Sequence, residues 1–305
     1  MNICNYKRRM QAILDEMIDR VVRHADRPTP IVPRLRMRVR DCPSDHGAAT
    51  IYVPMVCLVL QGVKQVMIGD QVLRYDPASY FVSSLDLPGR GHVVEASAER
   101  PFISVSLALD MEKVAALLPH LPPSADDPAR TFATGPVTSR LLDPWRRLLH
   151  LLDEPEDAPV LAPLLEREIM YRLLREPAGL ALRQLVSADS RLSRIRRVMG
   201  WLRRHYNRQL SIEELADMAG MSTASFHRHF RMATGTSPLQ FQKNVRLQQA
   251  RVQLLAGENA ACVGHAVGYE SLSQFSREYA RMFGAPPVRD ARRVSARLGF
   301  AEARA

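Results

Sequence analysis

Residues 210–241 read LSIEELADMAGMSTASFHRHFRMATGTSPLQF, and residues 267–287 read VGYESLSQFSREYARMFGAPP. Phe226, Phe230, Gly235 and Pro238 of the first stretch recur 49 residues later as Phe275, Tyr279, Gly284 and Pro287, and Ser222 recurs as Ser271. Aromatics four apart share one helix face and bury it. A serine ahead of them satisfies orphan backbone N–H groups, and Gly followed by Pro stops the helix. Each copy therefore predicts a capped helix of about three turns. A shorter helix precedes each. Ser211 and Glu214 make a capping box for 212–219, and Gly220-Met221 turns the chain into Ser222. Asn259 caps 260–267, and Gly268-Tyr269 makes the second turn. Helix, tight glycine turn and second helix is the helix-turn-helix arrangement. The two units span about 211–233 and 259–283.

Between them, PLQFQKNVRLQQARVQLLA (238–256) reads as one helix with Pro at its first position. About 18 residues at ~1.5 Å each give a rod of roughly 27 Å. Successive major-groove faces on one side of a duplex lie ~34 Å apart, so the rod suits two recognition helices in adjacent groove segments. Charge agrees with this. Residues 191–305 hold 19 Lys+Arg against 8 Asp+Glu, whereas residues 1–190 hold 23 against 24. The whole positive excess of the chain, +10 overall, therefore sits in its last third. That asymmetry is the footprint of a polyanion-binding domain joined to a neutral one.

Upstream the patterns differ. Residues 7–24 place Met10, Ile13, Leu14, Met17, Val21 and Val22 on one helical face, and DRPTPIVP (26–33) breaks the helix with three prolines. From about 34 to 110, short β-branched runs alternate with turn residues: VCLVLQG, VKQVMIGD, QVLRYD, SYFVSSLDLPG, HVVEAS and FISVSLALD. Ile68-Gly69-Asp70-Gln71 reads as a tight hairpin. Strands at this spacing predict an antiparallel sandwich or barrel. Helical patterns return over 111–176, with apolar stripes at 139–153 and 159–176 suited either to packing on the barrel or to a dimer interface. The expected domains are a sensing and dimerisation domain over 1–180, a linker over 181–192, a DNA-binding domain over 193–293 and a tail over 294–305. The fold class is α+β.

Hydrophobic residues make up 46% of the chain and charged ones 24%, as in an ordinary globular protein. No apolar run approaches the roughly 18 residues of a membrane span, and the amphipathic start does not resemble a signal peptide. A cytoplasmic protein without membrane contact is expected. Cys4, Cys42, Cys57 and Cys262 are scattered, so neither a disulfide framework nor a zinc site is expected.

The stretches quoted at the outset resemble the AraC/XylS family of transcription regulators, over about 191–293. VCLVLQGVKQVMIGDQVLRYDPASYFVSSLDLP (56–88) with ALDMEKVAALL (108–118) resembles the amino-terminal domain of one AraC subfamily. That resemblance implies a cupin-like jelly roll that binds a small effector. It also implies transcription regulation, with activation the expected mode and RNA polymerase an expected partner. A homodimer stands as an alternative to the monomer. Two departures from the family pattern are Ala260 and Gly264, where a large aliphatic and an alanine are usual, and Asp290 stands where an aromatic is common. Glycine inside a helix costs up to ~1 kcal/mol relative to alanine, so the second unit is expected to be the weaker.

With Phe226 and Phe230 turned inward, Thr223, Ala224, His227, Arg228 and Arg231 lie on the outward face. The resemblance places Ala224, His227 and Arg228 at base edges, and Ser273, Gln274 and Arg277 likewise in the second unit. Arg can hold guanine bidentately, Gln can pair with adenine, and Ala can meet a thymine methyl. Ser222, Thr223, Arg231, Asn259, Ser271 and Arg281 suit the phosphate backbone, which positions without specifying.

Two other readings compete. A metal-dependent cupin enzyme needs clustered ligands on strands, but only His46 and His92 fall in or near the strand region, and Asp86, His92 and Glu95 lack ligand spacing. A non-specific nucleic-acid-binding protein would need only net charge. The repeat argues against it, and so does the basic last third, 191–305, where Lys243 is the only lysine. No catalytic residue, metal or cofactor is expected.

Overall fold

The computed structural model describes residues 3–27, 29–44, 48–69, 71–77, 79–122, 131–187 and 190–297. His46, Asp70 of the hairpin, residues 298–305 of the tail and the side chain of Cys4 lie outside the described residues. Helix α1 (Ile3–His24) leads into β1 (Leu35–Arg40), β2 (Ala48–Tyr52), β3 (Met55–Gln61), β4 (Val63–Ile68), β5 (Gln71–Tyr75), β6 (Ser79–Ser83), β7 (Leu87–Glu95) and β8 (Phe102–Ala108). Next come α2 (Met111–Ala115), β9 (Phe132–Pro136), α3 (Ser139–His150), α4 (Ala158–Leu174) and α5 (Leu180–Val186). The C-terminal part is all helix: α6 (Arg191–Arg204), α7 (Ile212–Ala219), α8 (Thr223–Thr234), α9 (Pro238–Leu255), α10 (Ala260–Ala266), α11 (Leu272–Phe283) and α12 (Pro287–Arg297).

The strands form two antiparallel sheets, ordered β1-β8-β3-β6-β9 and β2-β7-β4-β5. Consecutive strands mostly alternate between the sheets, which is the winding of a jelly roll. Strand β9 falls in the region read as helical, and extends the first sheet by pairing Phe81 with Thr134. Side chains of the first sheet alternate cleanly. Val56, Leu58, Ile103, Val105 and Leu107 pack beneath α1, α3 and α4, with Trp145, Leu149, Ile169 and Leu173. Cys57, Val59, Phe81 and Phe102 face the second sheet. The stripes of α3 and α4 thus pack on the barrel, although Val160, Leu161 and Leu164 of α4 remain exposed. On α1, Leu14, Met17 and Val21 are core, whereas Val22, expected on the same face, is 51% exposed.

The second buried cluster does not end at the barrel. It runs from Phe81, Leu87 and Phe132 through Leu185, Ile195 and Met199 to Leu215, Phe226 and Phe230 of the first helix-turn-helix unit. The second unit has a core of its own: Leu254, Val263, Val267, Tyr269, Phe275, Tyr279 and Phe283. The two copies therefore share a local plan but not a common packing environment.

Candidate nucleic-acid interface

Each N-cap read from the repeat is formed, whereas of the Ser211–Glu214 capping box the structure shows the Ser211 half, with the Ser211 hydroxyl donating to Glu213. The Ser211, Ser222 and Ser271 hydroxyls accept from the backbone N–H of Glu214, Ser225 and Gln274, and the Asn259 side chain accepts from Ala261 and Cys262. Gly235 and Gly284 close α8 and α11 in the left-handed region, at φ 70° and 78°. Phe230 meets Phe241 of α9 edge-on with Phe226 tilted against it, and Phe275 and Tyr279 pack with Tyr269 and Phe283. Burying these rings fixes the opposite face of each helix outward. Thr223, Ala224, His227, Arg228 and Arg231 are exposed on α8, as are Ser273, Arg277 and Arg281 on or near α11, with Gln274 half-buried. Ser222, Ser271 and Asn259 are exposed at the helix starts.

Orientation of α11 comes from residues the sequence reading did not single out. Glu278 accepts from Lys243 Nζ of α9 (2.9 Å), from the Tyr269 hydroxyl in the turn (2.8 Å) and from Gln274 Nε2 (3.2 Å). Burial works against the charge of Glu278, but these three donors outweigh it and hold its carboxyl below the usual range. Gln274 is thereby held by one N–H while its carbonyl stays unengaged in that network. The i, i+4 spacing of Gln274 and Glu278 was the only sequence signal of this. Arg246 of α9 clamps the same turn, donating to the carbonyls of Tyr206 (2.6 Å), Gly268 (2.8 Å) and Arg208 (2.9 Å). On α8, burial and then Arg228, Arg191 and Arg194 depress the pKa of His229.

Two of the departures from the family pattern, Gly264 and Asp290, have packing reasons. A Cβ at Gly264 would lie 2.9 Å from Leu272 Cδ2 and 3.1 Å from Phe275 Cδ1, so the glycine lets α10 approach α11 closely. Asp290 is fully buried and accepts from Arg251 Nε (2.8 Å), Arg293 Nη2 (2.8 Å) and the Tyr279 hydroxyl (3.1 Å). It ties α12 to α9 and α11.

The C-terminal ends of both recognition helices turn toward the barrel. Arg231 and Arg281 line a cleft of about 580 Å³ with Arg90, Gly69, Gln240 and Asn244. Arg90 donates to the Arg281 and Met282 carbonyls (2.9 and 3.1 Å), satisfying the open end of α11. The hairpin tip at Gly69 (φ 61°) abuts Gly235, the Thr131 hydroxyl donates to the Ala233 carbonyl, and Arg203 pairs with Asp86. Among the described residues, no three His, Cys, Asp or Glu side chains converge as a metal site would require, and no helix is long and apolar enough to cross a membrane.

Comparison with known proteins agrees with this architecture. A family model described as the AraC-type transcriptional regulator N-terminus matches residues 31–181, and a helix-turn-helix domain model matches 215–293. The transcriptional activator RhaS of Pectobacterium carotovorum is 26% identical over 105 residues, 34% of this chain and 38% of RhaS. RhaS of Escherichia fergusonii is 25% identical over 153 residues, 50% of this chain and 54% of RhaS. The chain thus spans about half or less of these relatives' length. Crystal structures of ToxT from Vibrio cholerae share the fold: one matches 85% of this chain and 97% of ToxT with a TM-score of 0.55, at 9% identity.

Proposed function

The chain belongs to the AraC-type family of transcription regulators, and we propose that it binds an asymmetric operator through both helix-turn-helix units at once. The observation that carries this is the pair of capped helices, α8 and α11, each anchored by buried aromatics and presenting an exposed face. The 18-residue helix α9 between them supports this reading, since a rod of roughly 27 Å is comparable with the ~34 Å between successive major-groove faces. Ala224, His227 and Arg228 on one helix and Ser273, Gln274 and Arg277 on the other contact bases. Ser222, Thr223, Asn259, Ser271, Arg231 and Arg281 meet the backbone. Because the two triplets differ, so do the two half-sites. Binding-site selection from random DNA tests this, and a perfect palindrome bound by a single chain refutes it. Arg277→Ala relaxes specificity at one base pair at a cost of ~1–3 kcal/mol, whereas a uniform loss across sequences marks a phosphate contact.

The jelly roll over 31–181 acts as the sensor of a small molecule and biases how the DNA-binding domain is presented, a coupling typically of 1–3 kcal/mol. Residues 1–180 serve sensing and dimerisation, 181–192 connect, 193–293 bind DNA and 294–305 form the tail. The exposed Val160, Leu161 and Leu164 of α4 favour a homodimer through that helix. Activation through RNA polymerase, action in the cytoplasm and the lack of any catalytic step follow from the same reading, by analogy with the activator relatives. If the fragment 191–305 matched the full chain in affinity and in every effector response, the sensor role would be wrong.

A further inference from the structure

Inside the jelly roll, Lys64 has no partner for its charge among the described residues. Lys64 lies on the inward face of β4 and is 8% exposed. Among the described residues its ammonium has neither an ion pair nor a hydrogen bond. Its Nζ lies 5.7 Å from the centroid of the Tyr52 ring. The groups whose charges bear on it are Cys57 and Arg38, and no carboxylate is among them. Burial depresses the lysine's pKa, the expected response of an amine stripped of water without a counter-ion. An unpaired ammonium is among the costlier things a protein interior can hold.

Strands β1 and β2 are the edges of their respective sheets. Leu35, Met37 and Val39 of β1 pack on the helix side, so the alternate residues Arg36, Arg38 and Arg40 face the second sheet, where they are exposed. Register continues the polar row inward: Arg38 stands opposite Ser104, and Arg36 opposite Ser106, which in turn stands opposite Cys57. From the second sheet, Tyr52 and Lys64 meet over Gly91, where a Cβ would overlap the Tyr52 hydroxyl and lie 3.2 Å from Lys64 Cε. The glycine thus leaves room for both side chains at this spot.

We propose that the interior beside Lys64, between β4 and the Arg38 face of β1, is the binding site for a small organic carboxylate whose anionic group pairs with Lys64. The proposal rests on the reading of the jelly roll as a small-molecule sensor and names the chemistry that sensor takes. A single ammonium with three donors, beside Tyr52, suits a monoanion. Arg36, Arg38 and Arg40, exposed on β1, draw anions toward it. The Tyr52 ring, packed edge-on against Phe81, is the apolar surface next to the ammonium.

The test is thermal denaturation of the full chain with acetate, butanoate and hexanoate at constant ionic strength, each against the alcohol of equal length. At least one carboxylate is expected to raise the Tm saturably while its alcohol does not. Lys64→Met, which removes a buried charge and keeps the side-chain length, weakens that binding about tenfold or more, the worth of a charge-assisted hydrogen bond. Arg38→Gln, on the exposed edge and neutral to folding, weakens it less. The site is overturned if no carboxylate acts saturably, if chloride reproduces the shift, or if Lys64→Met retains it. Operator affinity measured in parallel separates the two ideas. Specific DNA binding without a carboxylate response sinks the site alone. A Lys64-dependent response without specific DNA binding sinks the regulator reading alone.

Discussion

Asp290→Ala is expected to unfold the second helix-turn-helix unit well before the rest of the chain. The carboxylate is fully buried and takes four hydrogen bonds, two from Arg251 (2.8 and 3.3 Å), one from Arg293 (2.8 Å) and one from the Tyr279 hydroxyl (3.1 Å). Removing it strands the Arg251 guanidinium, whose side chain is 21% exposed and lies 4.6 Å from the Phe283 ring centroid. It also strands the hydroxyl of Tyr279, a fully buried residue. Burial, followed by the charge of Asp290, holds that hydroxyl well above its ordinary pKa, so it serves as a donor throughout the physiological range. Breaking one side of a buried ion pair costs about 3–5 kcal/mol. Because Arg251 keeps some water, the lower end applies, about 3 kcal/mol. That is a large share of a typical domain stability of roughly 5–15 kcal/mol. The second unit has a separate core, so the loss appears as an early transition in urea denaturation followed by circular dichroism. Replacing the whole network together, with Tyr279→Phe, Arg251→Met and Asp290→Leu, leaves no orphaned polar group and should recover most of the loss. A cost below about 1 kcal/mol for Asp290→Ala, or a triple variant as unstable as the single one, would refute the reasoning.

Gly69→Val introduces a Cβ onto the Gly235 carbonyl at a position with φ 61°, so it should separate the hairpin from α8; proteolysis between the domains then accelerates while the circular dichroism spectrum is kept. Gly264→Ala should yield no net stability, because the helix propensity gained, up to ~1 kcal/mol, is offset by the methyl pressing on Phe275; a gain of the full amount in urea denaturation contradicts the close approach. For His229 the folded pKa lies below the ordinary value of 6.5, so the folded state favours the neutral ring. Its stability contribution is present above that value and is lost as the pH falls through it toward the folded pKa. Stability of the wild type should therefore decline more steeply below about pH 6.5 than that of His229→Gln, and parallel profiles would count against the assignment.

What was legible in the sequence was whatever short-range chemistry dictates. The 49-residue recurrence located both recognition helices, because aromatics four apart, an N-cap serine and a terminal glycine each act within a few turns. Strands β3 to β8 could be read because β-branched runs end in turn residues. Strand β9, FATGP, was not, since glycine and proline in a five-residue edge strand remove the signal. Among site residues, the outward faces of α8 and α11 followed from knowing which side buries its rings. Lys243 and Arg246 could not be found that way, because their partners lie 22 to 40 residues away, on α11 and in the turns after α6 and α10. Asp290 was visible as an oddity, but its meaning depends on Arg251, 39 residues earlier.

The same distinction governs how the two halves of the protein can communicate. Barrel residues such as Phe81 and Leu87 belong to one continuous buried cluster with Phe226 and Phe230 of α8. Close-packed interiors transmit displacement because they have little void to absorb it. The first helix-turn-helix unit is therefore joined to the barrel through a shared core. The second is joined mainly at its rim, where Arg90 holds the carbonyl end of α11 by two hydrogen bonds across a partly open cleft. Hydrogen bonds exposed to water are exchanged at little net cost, whereas a shared core is not. A change inside the barrel is thus carried to α8 as a shift in packing and to α11 as the making or breaking of a latch. The two recognition helices, so alike in sequence, are consequently coupled to the sensor by different physics, and their relative placement on DNA is the quantity that such a sensor can control.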